Sequence, residues 1–208
     1  MMRRLFVPCA TLTIAAALGC GGKKVMVPPR IDLQQHEVLA IIEFASSNEG
    51  KLGELATTRF MEDVRIDQGL VRIVELGTEE EALRQVDAER LDRDAYMALG
   101  AEHNVATIFT GELEISDIRP TVSISGDLRN LGAAADVDAT LTVQMIETAS
   151  GASLWSRSAS VTQRVGQVSL IGGRPIFDAD DPEHAYGELV YALVDLVTAD
   201  FKVSWVKQ

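Results

Sequence analysis

Val38 to Phe44 (VLAIIEF) decides how this sequence folds. The run is apolar throughout except for Glu43, and it ends in a polar loop, Ala45 to Gly50. Continuous apolar runs of this length belong to strands buried on both faces, as in parallel sheets flanked by helices. Outward from it, Leu52, Leu55, Ala56, Phe60 and Val64 mark one face of a helix over Lys51 to Ile66. Gln68-Gly69 breaks that helix, and Val71 to Leu76 (VRIVEL) reads as a second strand. Thr78 and Glu81 have the spacing of a capping box, with Ala82, Leu83 and Val86 on the apolar side of a short helix. A further helix fits Asp92 to His103, with Asp92 as N-cap and Asn104 as a left-handed C-cap. Val105 to Leu113 (VATIFTGEL) is a third strand. Strands separated by helices pair in parallel through crossovers.

The second half has a different period. Ile118 to Leu128 alternates loosely, with Ile118, Val122, Ile124 and Leu128 on one side. Asp136 to Met145 alternates cleanly, with Val137, Ala139, Leu141, Val143 and Met145 apolar. Ser150-Gly151 turns the chain into Ser153 to Gln163, completing a hairpin. Asp181-Pro182 opens a last helix, whose Leu189, Val190, Leu193, Val194, Val197 and Phe201 form an apolar stripe. The expected fold is α/β. A mixed sheet carries crossover helices in the first half; a β-hairpin meander and a C-terminal amphipathic helix make up the second. Because only 5% of residues are aromatic, the core is expected to be mostly aliphatic.

The amino terminus carries a separate signal. Met1 to Arg4 is basic, and Leu5 to Leu18 is apolar. As a helix this stretch reaches about 21 Å, short of the roughly 30 Å of a bilayer core, so it reads as a signal peptide. It closes on Ala16-Ala17-Leu18-Gly19-Cys20, which resembles the lipobox of bacterial lipoproteins, although Ala17 stands where Leu is commoner. Cys20 is the expected lipid-modified residue, carrying a diacylglycerol on sulfur and an acyl chain such as palmitate on its new amino group. Gly21, in place of the Asp that retains enteric lipoproteins at the inner membrane, points to the outer membrane. The expected organisation is a signal peptide at 1–19, a lipidated tether at 20–35 and one periplasmic domain at 36–208. Gly21 to Arg30 (GGKKVMVPPR) is expected to lack regular structure, because of its glycines, lysines and the Pro28-Pro29 pair.

Charge and composition exclude several function classes. The chain has 19 Lys+Arg against 31 Asp+Glu, a formal charge of −12. Removing residues 1–19 takes away only Arg3 and Arg4 and leaves −14. So acidic a chain repels phosphate backbones, and no nucleic-acid partner is expected. Cys9 leaves with the leader and Cys20 is the lipid site, so the body has no thiol chemistry. His36, His103 and His184 lie in separate segments without a His-Glu-x-x-His pair. No serine sits in a Gly-x-Ser-x-Gly elbow. Gly50-Lys51 lacks the earlier glycine of a phosphate loop, that position being Ala45. Asp178, Asp180, Asp181 and Glu183 suggest either calcium, though without EF-hand spacing, or carboxylates gathered at a helix N-terminus. Trp155 and Trp205 read as interface anchors or as covers of a core edge. No catalytic residue, cofactor or metal is expected, and the protein is not expected to be an enzyme.

The stretches Val38–Phe44, Val71–Leu76, Leu99–Gly111 and Ala139–Trp155, in this order, resemble the family of bacterial envelope lipoproteins that includes CsgG, LpoB and the amino-terminal domain of TolB. The resemblance implies an α/β domain on an outer-membrane lipid anchor at Cys20, working by protein contact. The implied role is a non-catalytic accessory or binding module in envelope assembly, secretion or peptidoglycan synthesis, with an envelope protein partner and a possible homo-oligomer. The alternative it implies is a subunit of a CsgG-like oligomeric export channel. A spanning hairpin needs two strands of about 9–11 residues. Ile118 to Met145 is long enough, but Arg119, Pro120, Asp127, Arg129, Asp136 and Asp138 interrupt it. Val165 to Phe177 is too short and contains Gly172, Gly173, Arg174 and Pro175.

Overall fold

A computed structural model describes residues 23–36, 38–47, 51–117, 119–124, 131–171, 174–179 and 182–207. In chain order the elements are β1 (Lys24–Val27), β2 (Val38–Ile41), β3 (Ala45–Ser46), α1 (Leu52–Val64), β4 (Arg72–Glu75), α2 (Glu79–Gln85), α3 (Arg93–His103) and β5 (Thr107–Ile115). There follow β6 (Arg119–Ile124), β7 (Leu131–Glu147), β8 (Ser153–Ile171), β9 (Arg174–Ala179), α4 (Pro182–Val197) and β10 (Ser204–Lys207). The main sheet has the order β4-β2-β5-β7-β8-β9, with β3 beside β5 and β6 beside β7. β2 pairs in parallel with both β4 and β5, as the crossover pattern requires, and every pairing from β5 through β9 is antiparallel. The protein is a mixed α/β fold with a C-terminal helix.

The caps form as the sequence predicts. Thr78 Oγ1 accepts from the Glu81 amide at 3.3 Å while Glu81 Oε2 accepts from the Thr78 amide at 3.0 Å. Asp92 accepts from the amides of Asp94 and Ala95, and Asn104 closes α3 at φ 51°.

Helices cover the sheet unequally. On one face α1 and α4 bury Ala56, Phe60, Val64, Leu189, Leu193 and Val197 against Leu39, Phe109, Leu141 and Val143. On the other, α2 and α3 cover only the parallel part, over Ala40, Ile42, Leu76, Leu99 and Ile108. The antiparallel half therefore alternates. Val137, Ala139, Leu141, Val143 and Met145 face the core, while Thr140 bonds Ser160 and Thr142 bonds Ser158 on the open face.

The core is mostly aliphatic, as expected, and a cluster of aromatic rings sits within it. Phe60 packs edge-on against Phe44, Phe109 and Phe201 at 5.3, 5.1 and 6.3 Å between ring centroids, and Trp155 sits 4.8 Å from Phe201. Four of the six phenylalanines meet there because β2, α1, β5 and the C-terminal turn converge, which composition does not show.

One correction concerns Gly21 to Arg30. Lys24–Val27 is a strand, paired antiparallel with Ser204–Lys207. Val25, Met26 and Val27 are good strand residues that gain a partner only when the chain end returns to them. Beyond it, the Arg30 and Ile31 amides donate to the Asp200 carbonyl, and Leu33 is buried in the core.

The hairpin of β7 and β8 outruns the core. Six pairs join Arg119–Ile124 to Leu131–Asp136, and six join Gly166–Ile171 to Arg174–Ala179. Together they form a four-stranded extension about 20 Å long.

Candidate binding surfaces

His36 and His103 have separate partners, and among the described residues no cluster of His, Cys, Asp or Glu could hold a metal ion. His36 Nδ1 bonds Thr107 Oγ1 at 2.9 Å, and His103 Nε2 bonds Gln85 Oε1 at 2.7 Å. Cys20, Asp180 and Asp181 lie outside the described residues. Trp155 covers a core edge, its Nε1 donating to Asp200 at 3.2 Å, whereas Trp205 is on the ribbon of β1 and β10.

Two other sites emerge from the tertiary structure. The first lies at the carboxyl ends of the parallel strands, where open α/β sheets bind ligands. Glu43 follows β2, Glu75 ends β4, Glu54 is in the first turn of α1, and all three line one cleft with Thr57 and Gly77. Burial, then the carboxylates of Glu54 and Glu81, raise the Glu43 pKa, and Lys51 offsets them in part. The cleft encloses about 50 Å³, far below the roughly 300–1,000 Å³ of small-molecule sites. The sequence carries a trace of it, since VLAIIEF and VRIVEL both place a glutamate at the end of an apolar run.

The second is the groove between α1 and α4, lined by Arg59, Glu62, Asp63, Ile66, Tyr191 and Asp195 with a volume near 500 Å³. Arg59 lies over the Tyr191 ring at 4.3 Å and donates to Glu62 at 2.6 Å, while its Nε is buried with no hydrogen-bond partner among the described residues. Tyr191 and Ile66 are exposed despite their size. A flat guanidinium stacked on tyrosine beside an aliphatic side chain is the residue chemistry of protein contact sites. Neither Arg59 nor Tyr191 stands out by spacing, because they meet only where the two helices pack.

The chain is similar to several solved bacterial structures. The PelC dodecamer from Paraburkholderia phytofirmans is 15% identical, with 85% of this chain and 98% of that one covered and a TM-score of 0.40. A neuraminyllactose-binding hemagglutinin homolog from Helicobacter pylori is 10% identical over 85% of this chain and 90% of that one, at a TM-score of 0.49. The LpoB C-terminal domain from Escherichia coli is 16% identical over 62% of this chain and 84% of that one, at 0.36. No family model and no curated protein matches the chain.

Proposed function

We propose that this protein is a lipid-anchored, non-catalytic binding module on the periplasmic face of the outer membrane, held at Cys20 and docking an envelope protein partner. The observation that carries the binding role is the Arg59–Tyr191 groove, an exposed aromatic stacked on a partly unsatisfied arginine between two rigid helices. The lipobox ending at Cys20 supplies the compartment. The test is a photocrosslinking residue placed at Tyr191 in cells, with one at the fully exposed Leu70 as control. A discrete adduct from position 191 only is expected. Identical patterns from both positions would sink the groove as the docking site.

A second reading, an oligomeric export channel, is favoured by the four-stranded extension. The register aligns Val122, Ala133, Val168 and Phe177 in one cross-strand row and pairs Ile124 with Leu131 two residues farther on. Its six-pair ladders are shorter than the about 9–11 residues of a spanning strand. Light scattering on the lipidated protein in mild detergent separates the readings. One to three subunits exclude the channel, and a large discrete ring with ion conductance establishes it.

A further inference from the structure

Among the described residues the ribbon of β1 and β10 pairs with no other strand, and all eight of its residues are exposed. Isolated two-stranded ribbons are marginal in water. The register sets Met26 opposite Trp205 and Lys24 opposite Lys207, so these four share one face, with Val25 and Val206 paired on the other. Met26, Trp205 and Val206 are 54%, 63% and 53% exposed. The directly opposed lysines repel each other in water. The ribbon therefore presents an aromatic–aliphatic surface that water disfavours, with two like charges held side by side on the same face.

Charge and position say what covers it. Residues 21–30 and 202–208 contain Lys23, Lys24, Arg30, Lys202 and Lys207 and no acidic residue, whereas residues 31–201 hold 12 Lys+Arg against 31 Asp+Glu. Of these cations, Arg30 is paired with Asp200 of the body, and Lys202 with Asp63 and Asp195. Lys23, Lys24 and Lys207, three of the chain's five lysines, are on or directly beside the ribbon. Lys24 is four residues from Cys20, at most about 14 Å of extended chain.

We infer that the ribbon docks on the lipid bilayer that holds the Cys20 anchor. Trp205 and Met26 enter the boundary between headgroups and acyl chains, where tryptophan is favoured, and Lys24 and Lys207 on the same face meet anionic phosphates. The inference rests on the lipid-anchor reading above. It also orients the molecule. The ribbon joins the body beside Asp200, which bonds Trp155 near the start of β8, and Ile171 lies about 50 Å farther along that strand. The hairpin extension then points away from the anchoring membrane.

The test uses full-length lipidated protein in phosphatidylethanolamine/phosphatidylglycerol vesicles containing acyl-chain-brominated phosphatidylcholine. Trp155 and Trp205 are the only tryptophans, so the emission lost in Trp205→Phe is that of Trp205. Its component is expected to shift to the blue and lose more than about half its intensity to the brominated chains. Met26→Asp, across the ribbon from Trp205, is expected to restore it. Protein that floats with the vesicles while Trp205 stays unquenched overturns the docking and leaves the anchor standing. Protein that does not float, with Cys20 unmodified by mass, overturns both.

Discussion

Gln68 and Phe201, 133 residues apart, are joined by a 2.7 Å hydrogen bond from Gln68 Nε2 to the Phe201 carbonyl. The same amide nitrogen donates to the Ile31 carbonyl at 2.8 Å, and Oε1 accepts from the Leu33 amide at 2.8 Å. One buried side chain thus closes the amino-terminal segment, the end of α1 and the C-terminal turn together. Gln68→Ala leaves those buried backbone groups without partners and is expected to cost about 2–4 kcal/mol. Urea unfolding measures it; a loss below about 0.5 kcal/mol would show that water replaces the amide.

Gly53 sits in the first turn of α1, where alanine would ordinarily stabilise a helix by about 1 kcal/mol. Here a Cβ would fall against the backbone carbonyl of Phe44, since that oxygen and an added methyl cannot occupy the same space. Gly53→Ala is therefore expected to lower stability by more than about 1 kcal/mol, with Tm as the readout. An unchanged or higher Tm would mean that α1 slides freely on β2.

Asp200 binds Arg157 at 2.7 Å and Arg30 at 3.4 Å. Burial pushes its carboxyl up, but hydrogen bonds from Arg157 and Trp155 and the charges of Arg157 and Arg30 outweigh that and hold it below the usual range. A lowered carboxylate pKa adds stability above the unfolded value, near 3.9, and loses it as pH falls through the folded one. Asp200→Asn is expected to cost about 1–3 kcal/mol at neutral pH. The gap from wild type should be constant above about pH 5 and close in acid. A gap independent of pH to the acid limit contradicts the ion-pair account.

Glu43 has the opposite sign. Its raised pKa means that the folded state disfavours the carboxylate, a penalty present at neutral pH and relieved as pH falls through the folded value. Glu43→Gln is expected to stabilise the protein at pH 7 by up to about 1 kcal/mol, with the advantage fading as pH falls through the raised folded value and gone below about pH 4. Thermal melts across pH test this, and a destabilised variant at pH 7 would show that the carboxylate makes a contact worth more than its burial.

Legibility followed the range of the interaction. The capping box at Thr78 and Glu81, the Asp92 cap and the αL turn at Asn104 are decided within four residues, and each formed as read. The alternation from Val137 to Met145 reported its buried face because period two is a local property. Gln68 was read only as a helix breaker, since nothing near it in sequence shows that Leu33 and Phe201 bring it buried partners. Lys24–Val27 was read as unstructured for the same reason, its strand partner being at the other end of the chain.

The sequence by itself determined the mixed α/β class, the order of the elements and the expectation of a lipid at Cys20, because periodicity, caps and a leader motif are short-range. Only the tertiary structure decided the Phe60-centred core, the Gln68 closure, the Arg59–Tyr191 groove and the ribbon of β1 and β10. Each of these depends on which distant segments become neighbours. That choice is made by the burial of the whole sheet, not by any one stretch of residues.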